Sequence, residues 1–418
     1  MMFCAGVSAQ SSSINTFSPY TFYGLGDFMT QGAAYQQSMG GAGVAYRSAG
    51  MINLLNPAAL ANTGRKSVIF NVGLEGTNVY SSSATTSSSF NTFNIRDIAL
   101  QMSVYENMGI SFSMTPLTEV GYRVSVKETD SDLLVDVGQV EYMYAGEGGV
   151  SQFKFGYGLN LFKNVALGAE AVYYHGSIER TFNSVITATI QPTVANGVTG
   201  SARDDISKLS YGVGFQASPI FNSKRILTLA ATYHKGMNLN PETTRDIQSS
   251  GIFVDTVAYS ALFTNYIMPD QITAGVSYQT SSFSINADYT YQDWNGENPS
   301  DYVNSVSYNN NNAIKVGAEY TPNRGDIRSF MKRVTYRAGV RKGNYYMSYY
   351  GQDIEETAVT VGFGIPMKFN SYSMINVGLE YGQRGTTSAG LIKENYVKVS
   401  LGLSLFAEDY WFVKPKYD

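Results

Sequence analysis

The chain has 418 residues, with 29 Lys and Arg against 33 Asp and Glu, a net charge of -4, and only 15% charged residues beside 13% aromatic ones. Soluble chains carry about 25% charged residues, so this composition separates the protein from soluble globular folds, and the acidic balance without a long basic block argues against nucleic acid as a partner. No apolar run is long enough to cross a bilayer as a helix, and a mean hydropathy of -0.14 is what half-polar strands would produce.

At the N-terminus, Met1 to Gly6 is short and apolar, and Val7-Ser8-Ala9 before Gln10 has the small-x-small form of a signal-peptidase site. Residues 1–9 are therefore expected to be a signal-peptide remnant, with the basic start missing. The sole cysteine, Cys4, falls in that segment without the small-residue context of a lipid-attached cysteine. Residues 10–65 follow a different grammar. They hold Phe17, Tyr20, Phe22, Tyr23 and Phe28, then the glycine-rich Gly40-Gly41-Ala42-Gly43, then Asn56-Pro57, and no strand alternation.

From residue 66 a two-residue rhythm takes over. Phe283, Ile285, Ala287, Tyr289 and Tyr291 alternate with Ser284, Asn286, Asp288, Thr290 and Gln292. The same pattern returns in Ile314/Val316/Ala318/Tyr320 and Val397/Val399/Leu401/Leu403/Leu405. Alternation of this kind marks two-faced strands, and their number and length point to an all-β transmembrane antiparallel barrel over residues 66–406. Eleven strands are expected between Gln152 and Phe406, with four further candidates at Lys66 to Tyr80, Phe93 to Tyr105, Met108 to Val126 and Leu134 to Tyr144. Single-chain bacterial barrels have even strand numbers. Leu134 to Tyr144 is therefore read as an outward extension or loop hairpin, which leaves fourteen wall strands, and a count of sixteen stays open.

Short connections such as Lys163-Asn164 and Ser281-Ser282 alternate with long polar ones, Arg180 to Asp205, Asn238 to Asp270 and Asn295 to Asn312. By the usual convention the short turns are periplasmic, and residues 407–418 form a periplasmic tail. A fourteen-stranded barrel is too wide for its own side chains to fill, so residues 10–65 are expected to form a hatch that plugs it. Inward glycines, among them Gly158, Gly168, Gly214, Gly317 and Gly402, would leave room for such an insert or would simply relieve curvature.

Gly40-Gly41-Ala42-Gly43-Val44-Ala45 followed by Asn56-Pro57-Ala58-Ala59-Leu60 resembles the N-terminal hatch of the FadL-type outer-membrane transporters of long-chain fatty acids and hydrocarbons. Met268-Pro269-Asp270, continuing through Gly275-Val276-Ser277-Tyr278 to Asp288 and Trp294, is similar to that family's Leu-Pro-Asp segment, and Pro116 resembles a proline of an early wall strand. The resemblance covers nearly the whole chain. It implies a fourteen-stranded barrel with a lumenal hatch, located in the outer membrane of a Gram-negative bacterium. It also implies passive uptake of a hydrophobic small molecule and its lateral release into outer-membrane lipid.

On this reading Phe17, Tyr20, Phe22, Tyr23 and Phe28 are candidate ligand contacts, and Gly40, Gly41, Gly43, Asn56 and Pro57 carry the hatch motif. Pro116 and Gly121 mark a lateral gate, because proline donates nothing to a strand ladder. The tail from Trp411 departs from a terminal aromatic. The alternative is a FadL-like barrel with a secretion-system protein as partner, serving secretion or surface assembly; an unplugged porin ranks third.

Catalysis is not expected. The two histidines, His175 and His234, sit in no nucleophile or carboxylate motif. No cofactor or metal is expected either. Gly40-Gly41-Ala42-Gly43 lacks the Lys-Ser/Thr of a phosphate loop, and Asp130, Asp132 and Asp136 lack the glycine and distal glutamate of a calcium loop. Tyr345 to Tyr350 and Tyr173-Tyr174 read as interfacial girdle. Arg328, Lys332 and Arg333 read as a solvated turn. Lys154, Glu170, Asp288, Lys315, Glu319, Glu380 and Lys398 fall inward by parity, a mixed-sign set better suited to holding a plug than to selecting an ion.

Overall fold

The computed structural model describes residues 15–63, 67–84, 86–129, 139–187, 194–222, 224–249, 252–253, 266–294, 306–367 and 372–408. The expected signal remnant, residues 409–418 of the expected C-terminal tail and the Asp130, Asp132 and Asp136 group lie outside these residues, while Ala407 and Glu408, expected in the tail, belong to the last strand.

Fourteen antiparallel strands close into a barrel. They are β1 (Ser67–Ser82), β2 (Ser87–Tyr105), β3 (Met108–Lys127), β4 (Gln139–Phe162), β5 (Val165–Thr187), β6 (Val194–Phe221) and β7 (Arg225–His234). The second half comprises β8 (Gln271–Thr280), β9 (Phe283–Gln292), β10 (Asn311–Tyr320), β11 (Thr335–Tyr349), β12 (Gln352–Pro366), β13 (Met374–Arg384) and β14 (Lys393–Glu408). Each strand pairs with its sequence neighbour, and β1 pairs with β14 from Ser67↔Glu408 to Ser82↔Lys393. Closure removes the unpaired backbone edge that lipid cannot satisfy.

Alternation sorts the side chains. Along β14, Val397, Val399, Leu401 and Leu405 are exposed on the outer face, while Glu394, Tyr396, Ser400 and Ser404 are buried inside. Ile272, Val276, Ile285, Tyr289, Ile314, Val316, Val359 and Val361 continue the outer apolar belt, as a wall in contact with acyl chains requires.

The segment Leu134 to Tyr144 is no separate strand: from residue 139 it is the outer end of β4. Arg180 to Asp205 is likewise no loop at either end. β5 runs on to Thr187 and β6 begins at Val194, their pairing continuing through Ser177↔Asp205 and Phe182↔Gly200. Within 238–270, Glu242–Ser249 adds a short strand against β6.

Candidate functional site: the lumen and a break in the wall

Residues 15–63 run inside the ring and touch every wall strand. Near the short-turn end, Pro57–Asn62 forms a 3₁₀ turn whose N-cap, Asn56, accepts from Ala58 N at 2.9 Å. Pro57 suits the first helical position, where its missing N–H costs nothing. The same Asn56 amide donates to the Val44 carbonyl at 3.1 Å and the Phe215 carbonyl at 3.3 Å, joining the Asn-Pro turn, the glycine-rich stretch and β6.

Gly40 and Gly41 adopt φ of +70° and +79°, a conformation glycine takes without strain, and Gly40 N donates to Thr360 Oγ1 at 2.9 Å. Gly43 N and Val44 N both donate to Asp288 Oδ2, at 2.6 and 2.9 Å. A Cβ added at Gly158, Gly168, Gly214, Gly317 or Gly402 would collide with Pro57, Ala58, Asn56, Met39 or Ala34 respectively. At these five positions the inward glycines make room for the segment.

At the long-loop end, four of the five candidate aromatics converge. Phe22 packs on Tyr122 and Tyr144, Phe28 on Trp294 and Tyr346, and Tyr20 and Tyr23 on Tyr349. Phe17 lies apart, stacked on Phe90 of β2 at 3.7 Å. Tyr345, Tyr346 and Tyr349 are buried and point inward, so the girdle reading fails for them. A register shift between Asn344 and Ser348 breaks the alternation and turns consecutive tyrosines to one side. Tyr174 is also buried, whereas Tyr173 and Tyr350 are exposed.

Pairing between β2 and β3 ends at Ile98↔Met114. Two residues later comes Pro116, where the β3–β4 register shifts between Pro116 and Thr118. Beyond that point β3 takes a new partner from the N-terminal segment, with Asp27↔Glu119 and Phe28↔Thr118. Met29 N donates to the Leu117 carbonyl at 2.9 Å, Gln31 Nε2 to the Pro116 carbonyl at 3.0 Å, and Ser18 N to the Gly121 carbonyl at 2.8 Å. On the opposite bank, Asn94 Nδ2 of β2 donates to the Asn15 carbonyl at 2.5 Å. The N-terminal segment therefore fills a gap in the ladder, and Pro116 and Gly121 line its β3 edge.

Charge inside the ring is largely paired. Arg341 meets Glu356 and Glu380 at 2.9 and 2.7 Å, Arg384 meets Asp27 and Glu394 at 2.7 and 2.8 Å, and Arg337 meets Glu319 at 3.1 Å. Glu170 joins Lys154 at 3.2 Å and His234 at 2.9 Å, while His175 lies on the exposed face beside Tyr173. Mid-lumen, a cavity of about 180 Å³ is lined by Phe28, Leu117, Lys154, His234, Lys315 and Arg341, among others. Of the five candidate aromatics it touches Phe28 alone. The charge pairing and the register shift at Asn344 depend on partners distant in sequence, so the alternation could not reveal them.

Fold and lumen together define a closed fourteen-stranded membrane barrel of the FadL type. Solved structures with this fold include a FadL homologue of Pseudomonas aeruginosa (12% identity, TM-score 0.56, covering 92% of this chain and 99% of that one). The toluene transporter TbuX of Ralstonia pickettii is similar at 14% identity and TM-score 0.54, covering 89% and 97%. The monoaromatic hydrocarbon channel CymD matches at 14% and 0.54, covering 91% and 99%. No curated protein matches the sequence. The family model described as BamG matches residues 1–418, and the chain belongs to that family. The resemblance to FadL-type transporters thus holds for the fold, and the family is BamG.

Proposed function

We propose that the protein is an outer-membrane transporter for passive movement of hydrophobic compounds, with residues 10–65 as its hatch and the β2–β3 gap as a lateral exit into lipid. The observation that carries this reading is the break in the ladder above Ile98↔Met114, where β3 pairs with Asp27 and Phe28 of the N-terminal segment instead of with β2. The shared fold with hydrocarbon and toluene channels supports it. An apolar solute released sideways avoids the aqueous periplasm, and Phe93, Ile95 and Phe112, exposed on β2 and β3, offer it an apolar path.

A second reading, a barrel that assists protein secretion or surface assembly, is favoured by the small lumenal cavity. Its 180 Å³ is below the roughly 300–1,000 Å³ of drug-sized ligand sites and its lining mixes cations with apolar groups. A cysteine pair at Phe28→Cys and Thr118→Cys, directly opposed where the segment pairs with β3, separates the two. In cells lacking their own transporter, oxidation is expected to stop uptake of labelled oleate or toluene, and reductant to restore it. Uptake indifferent to the crosslink would remove the gap from the path; no uptake by the folded parent would favour the assembly reading.

A further inference from the structure

The connection between β10 and β11, residues 321–334, is the longest at the short-turn end among the described residues; 106–107, 163–164 and 281–282 are two-residue turns. It is a built structure. Asn323 N donates to the Lys332 carbonyl at 2.8 Å, and the Asp326 carboxylate accepts from Arg328 N and Ser329 N at 2.9 and 2.7 Å. Within it stands the helical turn Phe330–Arg333.

What this structure holds out is unusual for a solvated turn. Ile327 is 95% exposed, Met331 60% and Phe330 48%, yet the fold spends hydrogen bonds to fix them there. The turn leans toward the lipid face of the wall: Tyr336, on the outer face of β11 with its ring 5.8 Å from Phe363, donates to the Met331 carbonyl at 3.2 Å. Its apolar tip therefore continues the outer belt of Tyr320, Val340 and Phe363.

Charge follows the same geometry. Within the turn Arg324, Arg328, Lys332 and Arg333 stand against a single acidic residue, Asp326, in a protein whose net charge is -4. Lys332 reaches Asp326 at 3.4 Å and Arg324 reaches Glu319 at 3.8 Å, whereas Arg328 and Arg333 make no ion pair among the described residues. The Arg333 guanidinium lies over the Phe330 ring at 5.5 Å. Apolar side chains beside unpaired cations at the rim of a lipid belt match a layer of acyl chains capped by phosphates.

We propose that the 321–334 turn is an interfacial anchor for anionic phospholipid in the leaflet at the short-turn end. Ile327, Phe330 and Met331 enter the acyl boundary, and Arg328, Lys332 and Arg333 meet headgroup phosphates. The anchor would fix the depth and tilt of the barrel on the side away from the β2–β3 gap.

The test uses the full chain with Cys4→Ser and Ile327→Cys carrying an environment-sensitive fluorophore. It is reconstituted in nanodiscs of phosphatidylethanolamine with phosphatidylglycerol, and insertion is checked by heat-shifted migration. Lipids brominated near the headgroup end of the chain should quench this label and spare one at Gln352→Cys, which is exposed at the long-loop end; acrylamide should do the reverse. R328Q/K332Q/R333Q should raise acrylamide access several-fold, since each basic residue at an anionic surface contributes about fivefold in partitioning. Should Ile327→Cys not fold, Met331→Cys carries the same label. A label at the turn as open to acrylamide as one at Gln352, and untouched by brominated lipid, would overturn the proposal. The readout needs only an inserted barrel and does not depend on what crosses it.

Discussion

Asp288 shows how one inward side chain holds polar backbone inside a membrane barrel. Its Oδ2 receives both Gly43 N and Val44 N, so a single carboxylate satisfies two buried donors of the glycine-rich turn. Hydrogen bonds to a charged group are worth about 1.5–3 kcal/mol each. Asp288→Ala is therefore expected to lower the temperature of the heat-induced gel shift and to admit protease cleavage within residues 15–63, both measurable on the purified protein. Asp270 plays a comparable part at a rim. It accepts from Tyr233 Oη at 2.6 Å, Lys235 Nζ at 2.9 Å and Gly236 N at 2.8 Å, and the Tyr233 hydrogen bond, foremost among these, holds its carboxyl below the usual range. A depressed folded pKa stabilises the closed corner at neutral pH, and that contribution disappears as pH falls through the depressed value. Amide exchange at Gly236 should accelerate, relative to the intrinsic rate, only in that acid window, and Asp270→Asn should show the faster exchange at neutral pH. Parity alone placed Asp288 inward in the sequence, because alternation encodes facing. Its partners could not be read, because they lie some 245 positions away.

Individual strands carry the next lesson. A bilayer needs about 9–11 residues of tilted strand, yet β4, β5 and β6 have 24, 23 and 28. The lipid-facing stretches Val165 to Ser177 and Ile206 to Pro219 were legible because one face is apolar. Ile178 to Thr187 and the start of β6 were not, since beyond the membrane the outer face can be polar and the two-residue contrast fades. Backbone pairing continues regardless, through Arg180↔Ala202 and Asn183↔Thr199. Amides of residues 178–183 and 199–205 are thus expected to exchange slowly in detergent-solubilised protein despite lying where a loop was read; fast exchange there would mean the extension is not formed in solution. The inward turn of the β11 tyrosines escapes the sequence pattern for a related reason. A bulge shifts facing by one residue, and Tyr345-Tyr346 carries no two-residue contrast from which the shift could be inferred.

For the whole molecule, the barrel and the separate character of the first sixty residues are visible in the sequence, because period and glycine content are local properties, whereas period alone offers fifteen candidate strands and only the even-number rule brings them to the fourteen observed, with sixteen left open. The site of the ladder's interruption was half visible: Pro116 announced a defect, but which segment would occupy it depends on pairing between Asp27–Phe28 and Thr118–Glu119. Removing residues 10–65 is expected to leave a heat-modifiable barrel that conducts ions in planar bilayers, where the intact protein conducts little. Equal conductance would show that the segment does not close the lumen. That segment engages all fourteen strands, from Ile52 against Ile69 on β1 to Ser18 on Glu394 of β14. Between these it bonds or packs with Gln101, Pro116, Asn160, Arg180, Gln216, Ala230 and Gln279. It continues with Asp288, Glu319, Tyr345, Thr360 and Arg384. A ring zipped from β14 to β1 with these leading residues left outside would forfeit every one of those contacts and would keep the break between β2 and β3 unfilled.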